Sequence, residues 1–104
     1  MLYIIYQEDR ADGAALRAAT RARHLAYLEA HKDILVLGGA LLADDGATRT
    51  GSCLIVNVAD REAAETFSRN EPFRAAGLFQ SIRIARMRRG QWNPAAAPAT
   101  AEGN

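Results

Sequence analysis

Cysteine is almost missing from this chain: Cys53 stands alone among 104 residues, so neither an intrachain disulfide nor a thiolate metal cluster can be built from it. A reducing cytoplasm is the simplest setting for such a composition. A charge excess of either sign is missing too. Thirteen Lys and Arg against twelve Asp and Glu leave a formal net charge of +1, which supplies no long-range field for nucleic acid or an anionic membrane, whose binding rests on phosphate neutralisation. Long apolar runs are absent: Met1-Leu-Tyr-Ile-Ile-Tyr6 is short, lacks a basic lead and meets Glu8, Asp9 and Arg10, so it reads as neither a signal peptide nor a membrane span. There is no glycine-rich phosphate loop and no internal repeat. The length allows one core with no room for a cofactor domain. What remains, 49% hydrophobic and 24% charged, is an ordinary globular composition whose partner is a small molecule or a protein, met at a shallow site or an interface.

The chain alternates in type. Leu2 to Gln7 is β-branched and aromatic and reads as a strand with both faces covered. From Ala14 to His31, the positions Ala15, Ala18, Ala19, Ala22, Leu25 and Ala26 recur at helical spacing, with Asp12 or Gly13 at the start. Ile34 to Leu42 is an apolar strand whose Gly38-Gly39 marks a bulge or a close backbone approach, and Asp44-Asp45-Gly46 is a turn. Gly51 to Val58 is a third strand, and Asp60 caps a helix to about Arg69 with Ala63, Ala64 and Phe67 inward; Pro72 stops that run. A last strand spans Phe79 to about Arg88. The order β-α-β-β-α-β predicts an α+β, ferredoxin-like four-stranded antiparallel sheet with two helices on one face. Residues 1–92 form the domain, and 93–104, rich in Ala and Pro, a flexible tail.

Two helices cover one face of such a sheet, yet Leu2/Ile4 with Tyr3/Ile5, and Ile34/Val36 with Leu35/Leu37, make both faces of two strands apolar. A second copy of the chain is the economical cover, and a sheet-to-sheet homodimer is expected. The same topology gathers Glu8, Asp9, Ser52, Asn70 and Glu71 at one rim. His24 would lie about 15 Å down a helix begun at Ala14, at 1.5 Å per residue. A helix break with Thr20 capping a second segment would return it to the rim, beside free N–H groups.

Other residues have plainer readings. His31 suits the C-terminus of a helix, Cys53 a buried apolar slot, Tyr6 and Tyr27 core or interface packing. Arg83, Arg86, Arg88 and Arg89 protect an edge strand. Trp92 is expected to pack on the body after the last strand or to anchor a dimer. Cys53-Leu-Ile-Val-Asn57 lacks the exposed aromatics of an RNA-binding sheet.

Leu2-Tyr-Ile-Ile-Tyr6 with Asp9, Arg21-Ala-Arg-His24-Leu-Ala-Tyr-Leu28, Gly38-Gly39, Gly51-Ser52 and Glu71-Pro72-Phe73-Arg-Ala-Ala-Gly77-Leu-Phe79 together resemble the YciI-like (YCII-related) proteins. These are small dimeric ferredoxin-like domains related in architecture to the dimeric α/β barrels. The resemblance runs from Met1 to about Arg89. It implies a catalytic pair of a first-helix histidine and an aspartate before a proline, at the positions of His24 and Glu71, and implies no metal and no organic cofactor. Two departures stand out: Ala22 replaces a common proline, and Glu71, one methylene longer, replaces the aspartate. Such a pair supports proton transfer on carbonyl or enol substrates, with His24 as acid or base and Glu71 orienting the ring. Ser52 and Tyr6 are candidates to hold a substrate oxygen, Asn70 to add a neutral hydrogen bond, and Arg21, with Arg23 or Arg69, to neutralise an anionic substrate. Ser52 lacks a G-x-S-x-G nucleophile turn, so lyase or isomerase chemistry is favoured over hydrolysis. A non-catalytic ligand-binding or regulatory dimer is the alternative.

Overall fold

The alternation along the first segment decides how the sheet divides inside from outside. In the computed structural model, which describes residues 1–103, strand β1 (Leu2–Asp9) buries Tyr3, Ile5 and Gln7 on one face and turns Leu2, Ile4, Tyr6 and Glu8 to the other. Then follow helix α1 (Ala14–Ala30), strands β2 (Leu35–Leu42) and β3 (Arg49–Asn57), helix α2 (Arg61–Asn70), a short helix α3 (Pro72–Ala75) and strand β4 (Phe79–Met87). The strands form one antiparallel sheet in the order β2-β3-β1-β4. Tyr3, Ile5, Leu54, Val56 and Ile84 of the sheet pack with Ala64 and Phe67 of α2 into the core. The expected ferredoxin-like plan is the one observed.

Helix α1 differs from expectation in two ways. It runs unbroken from Ala14 to Ala30; Thr20 caps nothing and is buried in mid-helix at 1% exposure. Its inward face is also not the alanine stripe. Ala15, Ala18, Ala19, Ala22, Leu25 and Ala26 are exposed, whereas Arg17 and Thr20 are buried and Leu16, His24, Tyr27 and Leu28 partly so. Both sets satisfy a 3.6-residue period. The longer side chains win the inner face because they reach across to the sheet, and Arg17 tolerates burial because Asp9 neutralises it.

Asp60 caps α2 through the Ala63 N–H at 2.8 Å. Pro72 does stop α2, and it also opens α3, an element the sequence reading lacked: Glu71 is its N-cap and Pro72, without an N–H, suits its first position. The far end of α3 closes with the Leu78 N–H on the Phe73 carbonyl (3.1 Å) and the Gly77 N–H on that of Arg74 (3.0 Å). This paired closure needs the left-handed backbone that Gly77 adopts at φ +82°. Phe73 is thereby fixed from both sides.

Two close approaches shape the sheet beneath α1. A Cβ on Gly51 would lie 2.0 Å from the Gln7 carbonyl oxygen, and one on Gly38 would lie 2.7 Å from Leu54 Cδ2. The β2 pairing is irregular at two places, at Val36 between Leu35 and Leu37, just before the glycine pair, and between Leu41 and Leu42.

The other sheet face carries no helix. Leu37, Ile55, Ile4 and Ala85 stand in one row across all four strands, flanked by Leu2, Met87, Cys53 and Tyr6, and Leu37 is 65% exposed. β4 is an edge strand, as the arginine pattern predicts. Beyond it residues 88–102 are all exposed, with one 3-10 turn at Pro94–Ala96; Asn104, the end of the expected tail, lies outside the described residues. Trp92 does not pack on the body: it is 64% exposed, and its ring lies under the Arg89 guanidinium. No helix among the described residues is long and apolar enough to cross a membrane.

Candidate active site

His24 reaches a carboxylate without any break in α1, because α3 brings the carboxylate to the middle of the helix. Glu71, between α2 and α3, is 1% exposed. Its Oε1 accepts from the Phe73 N–H at 3.2 Å and its Oε2 from the Arg74 N–H at 3.4 Å. Oε1 also makes a short hydrogen bond with His24 Nδ1. Since the Glu71 oxygens are already acceptors, Nδ1 is the donor, and Nε2 is the ring nitrogen left free. The ring is fixed a second time by stacking on Phe73, with centroids 3.9 Å apart and planes at 14°.

The neighbouring cation is spoken for. Arg17 donates to both Asp9 oxygens, at 2.7 and 2.9 Å, and to the Gly51 carbonyl at 3.0 Å, while its guanidinium lies 4.6 Å from the Phe73 ring centre. A buried bidentate pair of this kind is costly to break from one side, so Asp9 and Arg17 frame the site.

His24 lines a cavity of about 220 Å³ between α1 and the β2–β3 half of the sheet, with Arg17, Arg21, Leu28, Gly38, Gly39, Arg49, Ser52 and Phe73 among its walls. Of the anticipated substrate-holding residues, Arg21 and Ser52 therefore stand beside His24. Tyr6 and Asn70 do not. Tyr6 belongs to the helix-free sheet face, because alternation in β1 points it opposite to Ile5 and Gln7. Asn70 ends α2 and lines two other depressions. Of the proposed rim residues, Ser52, Glu71 and, through Arg17, Asp9 come together at the cavity, whereas Glu8 is exposed on the far face and Asn70 lies elsewhere. Arg49, which sequence reasoning missed, joins the cavity from the start of β3; its one sequence signal is that it lies two residues before Gly51-Ser52. Cys53 is half-buried on the helix-free face rather than in the core, with its thiol pushed up by that burial. His31 caps α1, its Nδ1–H donating to the Tyr27 carbonyl at 2.8 Å. No cluster of three or more His, Cys, Asp or Glu side chains able to hold a metal ion occurs among the described residues.

With this geometry in hand the chain can be set beside known proteins. The YCII-related domain matches it over residues 1–88. The chain belongs to the YCII-related family. The proteins named YciI of Escherichia coli O6:H1 and of Shigella flexneri are each 35% identical over 91 residues, covering 81% of this chain and 93% of theirs. Among solved structures, the 5-chloro-2-hydroxyhydroquinone dehydrochlorinase TftG from Burkholderia phenoliruptrix AC1100, in complex with 2,5-dihydroxybenzoquinone, matches with a TM-score of 0.81 at 36% identity, over 86% of this chain and 96% of that one.

In this YCII-related chain the Glu71 charge is felt beyond His24. The Tyr27 hydroxyl, which donates to the Phe67 carbonyl at 2.8 Å, is held above the 10.0 of a free tyrosine first by burial and then by the Glu71 carboxylate. The folded-state value lies above the unfolded one, so the stability this group contributes is complete below pH 10 and is lost as pH rises through the folded value. Glu71→Gln should bring the Tyr27 titration down while leaving it above 10, since burial persists. Ultraviolet titration at the phenolate band, with Tyr27→Phe to assign the step, checks this; an unmoved Tyr27 step would show that the carboxylate is uncharged or elsewhere.

Proposed function

We propose that this chain is a small-molecule lyase that works by proton transfer, with His24 as the acid and base and Glu71 as the group that orients it. The reading is carried by one observation: the carboxylate takes Nδ1, so Nε2 is the nitrogen available to a molecule in the cavity. Glu71 then stabilises the imidazolium when Nε2 takes up a proton.

The substrate class follows from the cavity. An apolar cavity of about 150 Å³ accommodates benzene, so about 220 Å³ suits one substituted six-membered ring. Arg21 and Arg49 on its wall have no carboxylate partner among the described residues, and no acidic side chain lines it. That favours a ring carrying an anionic or enolic oxygen. The likeness to a dehydrochlorinase of a chlorinated hydroquinone supports the same class.

For a ring bearing hydroxyl groups and a leaving group X, His24 takes a hydroxyl proton and returns it to the carbon bearing X, giving the keto tautomer. Removal of a second hydroxyl proton forms another C=O and shifts the double bond, and X departs with its bonding pair. The net change is loss of HX, with no outside oxidant. His24→Ala should lower kcat/KM on chlorinated hydroxyhydroquinones by about 10²-fold or more while circular dichroism shows the fold intact, and Glu71→Gln by a smaller factor. Appearance of the quinone absorbance reports turnover; activity retained in His24→Ala would overturn the reading.

The proposal includes a homodimer formed through the helix-free sheet face. Its support is the apolar row from Leu37 to Ala85, since apolar burial is worth roughly 25 cal/mol per Å² and an uncovered face of this kind promotes association. Light scattering at micromolar concentration should give twice the chain mass of 11.3 kDa, and Ile55→Lys should halve the value. A wild-type monomer would remove the dimer from the account.

A further inference from the structure

Gln7 is a long polar side chain in the middle of a central strand, 1% exposed, on the face that carries the site. Its Nε2 donates to Ser52 Oγ at 2.9 Å, and its Oε1 is buried without a partner. Turning the amide over would let Ser52 donate to Oε1 but would leave both N–H groups of Nε2 buried without an acceptor, whereas the orientation shown pairs one of them with Ser52. The observed orientation therefore fixes the hydroxyl's role. Ser52 Oγ accepts from Gln7, makes no other hydrogen bond among the described residues, and lines the His24 cavity. Its proton is free to point into the cavity.

We propose that Ser52 is the donor that seats the substrate oxygen bearing the developing negative charge, and that Gln7 is a positioning residue which sets the Ser52 hydroxyl as donor. This rests on the reading of the cavity as a substrate site and adds a second functional group to it. His24 and Ser52 stand on opposite walls, one on α1 and one on β3, so the proton is handled on one side of the bound ring and the charge is received on the other. A preorganised hydroxyl costs no reorientation during the reaction, which is why such donors act chiefly on the chemical step. The orphaned Gln7 carbonyl is the cost of that arrangement, and it sits in the fold whether or not substrate is bound.

Gln7→Met distinguishes this from a structural role. Methionine is unbranched and of similar length, suits a core, and abolishes both the hydrogen bond and the orphaned oxygen. Calorimetric binding of 2,5-dihydroxybenzoquinone to the full chain should weaken about tenfold in Ser52→Ala and by a similar factor in Gln7→Met. The double variant should be no weaker than Ser52→Ala, and Gln7→Met should melt at or above the wild-type temperature. On a turned-over chlorinated hydroxyhydroquinone, both single variants should lose more in kcat than in KM. Wild-type affinity in Ser52→Ala, additive losses in the double variant, or a lowered melting temperature accompanying the loss in Gln7→Met would each overturn the proposal. No saturable binding by the wild type would overturn the substrate class and the seat together. Activity surviving in His24→Ala, with binding lost in Ser52→Ala, would sink the proton-transfer reading and leave the seat standing.

Discussion

A single buried carboxylate organises this molecule. Glu71 is 1% exposed, and an ion so placed costs several kcal/mol unless its oxygens are well partnered. Its three partners come from two elements: the backbone N–H groups of Phe73 and Arg74 at the start of α3, and His24 in the middle of α1. The same side chain that caps one helix therefore fixes the ring of another. Remove it and α3 loses its cap, His24 its orientation, and Phe73 the anchor on which the imidazole stacks.

The division of labour between the helices follows. α2 brings Ala64 and Phe67 to the apolar core over Tyr3, Ile5 and Val56. α1 brings Arg17, Thr20 and His24 to the sheet and leaves its alanines outside. Arg17 and His24 survive burial on that inner face because Asp9 neutralises the one and Glu71 partners the other, whereas the Thr20 hydroxyl is buried without a partner among the described residues. Across from that face, the backbone of Gly38 and Gly39 lines the cavity, with Leu54 packed so close that a Cβ on Gly38 would lie 2.7 Å from its Cδ2. The glycines are thus part of the site without contributing a functional group to it.

Element order and topology are legible in the sequence because strand and helix periodicities are strong local signals: β-branched Leu2 to Gln7, the Asp60 cap, the Asp44-Asp45-Gly46 turn. What is not legible is which of two periodic stripes on one helix faces inward. Ala15, Ala18, Ala22 and Ala26 look like a buried face by hydropathy, but Arg17 and His24 take that place through partners more than seven residues away in sequence. For the same reason a helix break is expected and does not occur. The chain reaches His24 by adding α3 rather than by interrupting α1, and the four residues of α3 carry no apolar period to announce it, only a glutamate, a proline and a later glycine. The pairing of His24 with Glu71 is suggested by the family resemblance, whereas Arg49 and Gln7 gain significance only when the sheet is folded. Tyr6 and Asn70 are close to the site in sequence terms and apart from it in space, one by the two-residue alternation of a strand and the other by the end of a helix.

The central claim is that Glu71 takes the Nδ1 proton of His24 as a hydrogen bond and leaves Nε2 to the cavity. Nitrogen-15 NMR of the imidazole groups reads this directly, with His31, whose Nδ1–H serves the Tyr27 carbonyl, as an internal reference. The account predicts that neutral His24 carries its proton on Nδ1, in a hydrogen-bonded resonance that disappears in Glu71→Ala. A proton found on Nε2, with Nδ1 acting as an acceptor, would contradict it.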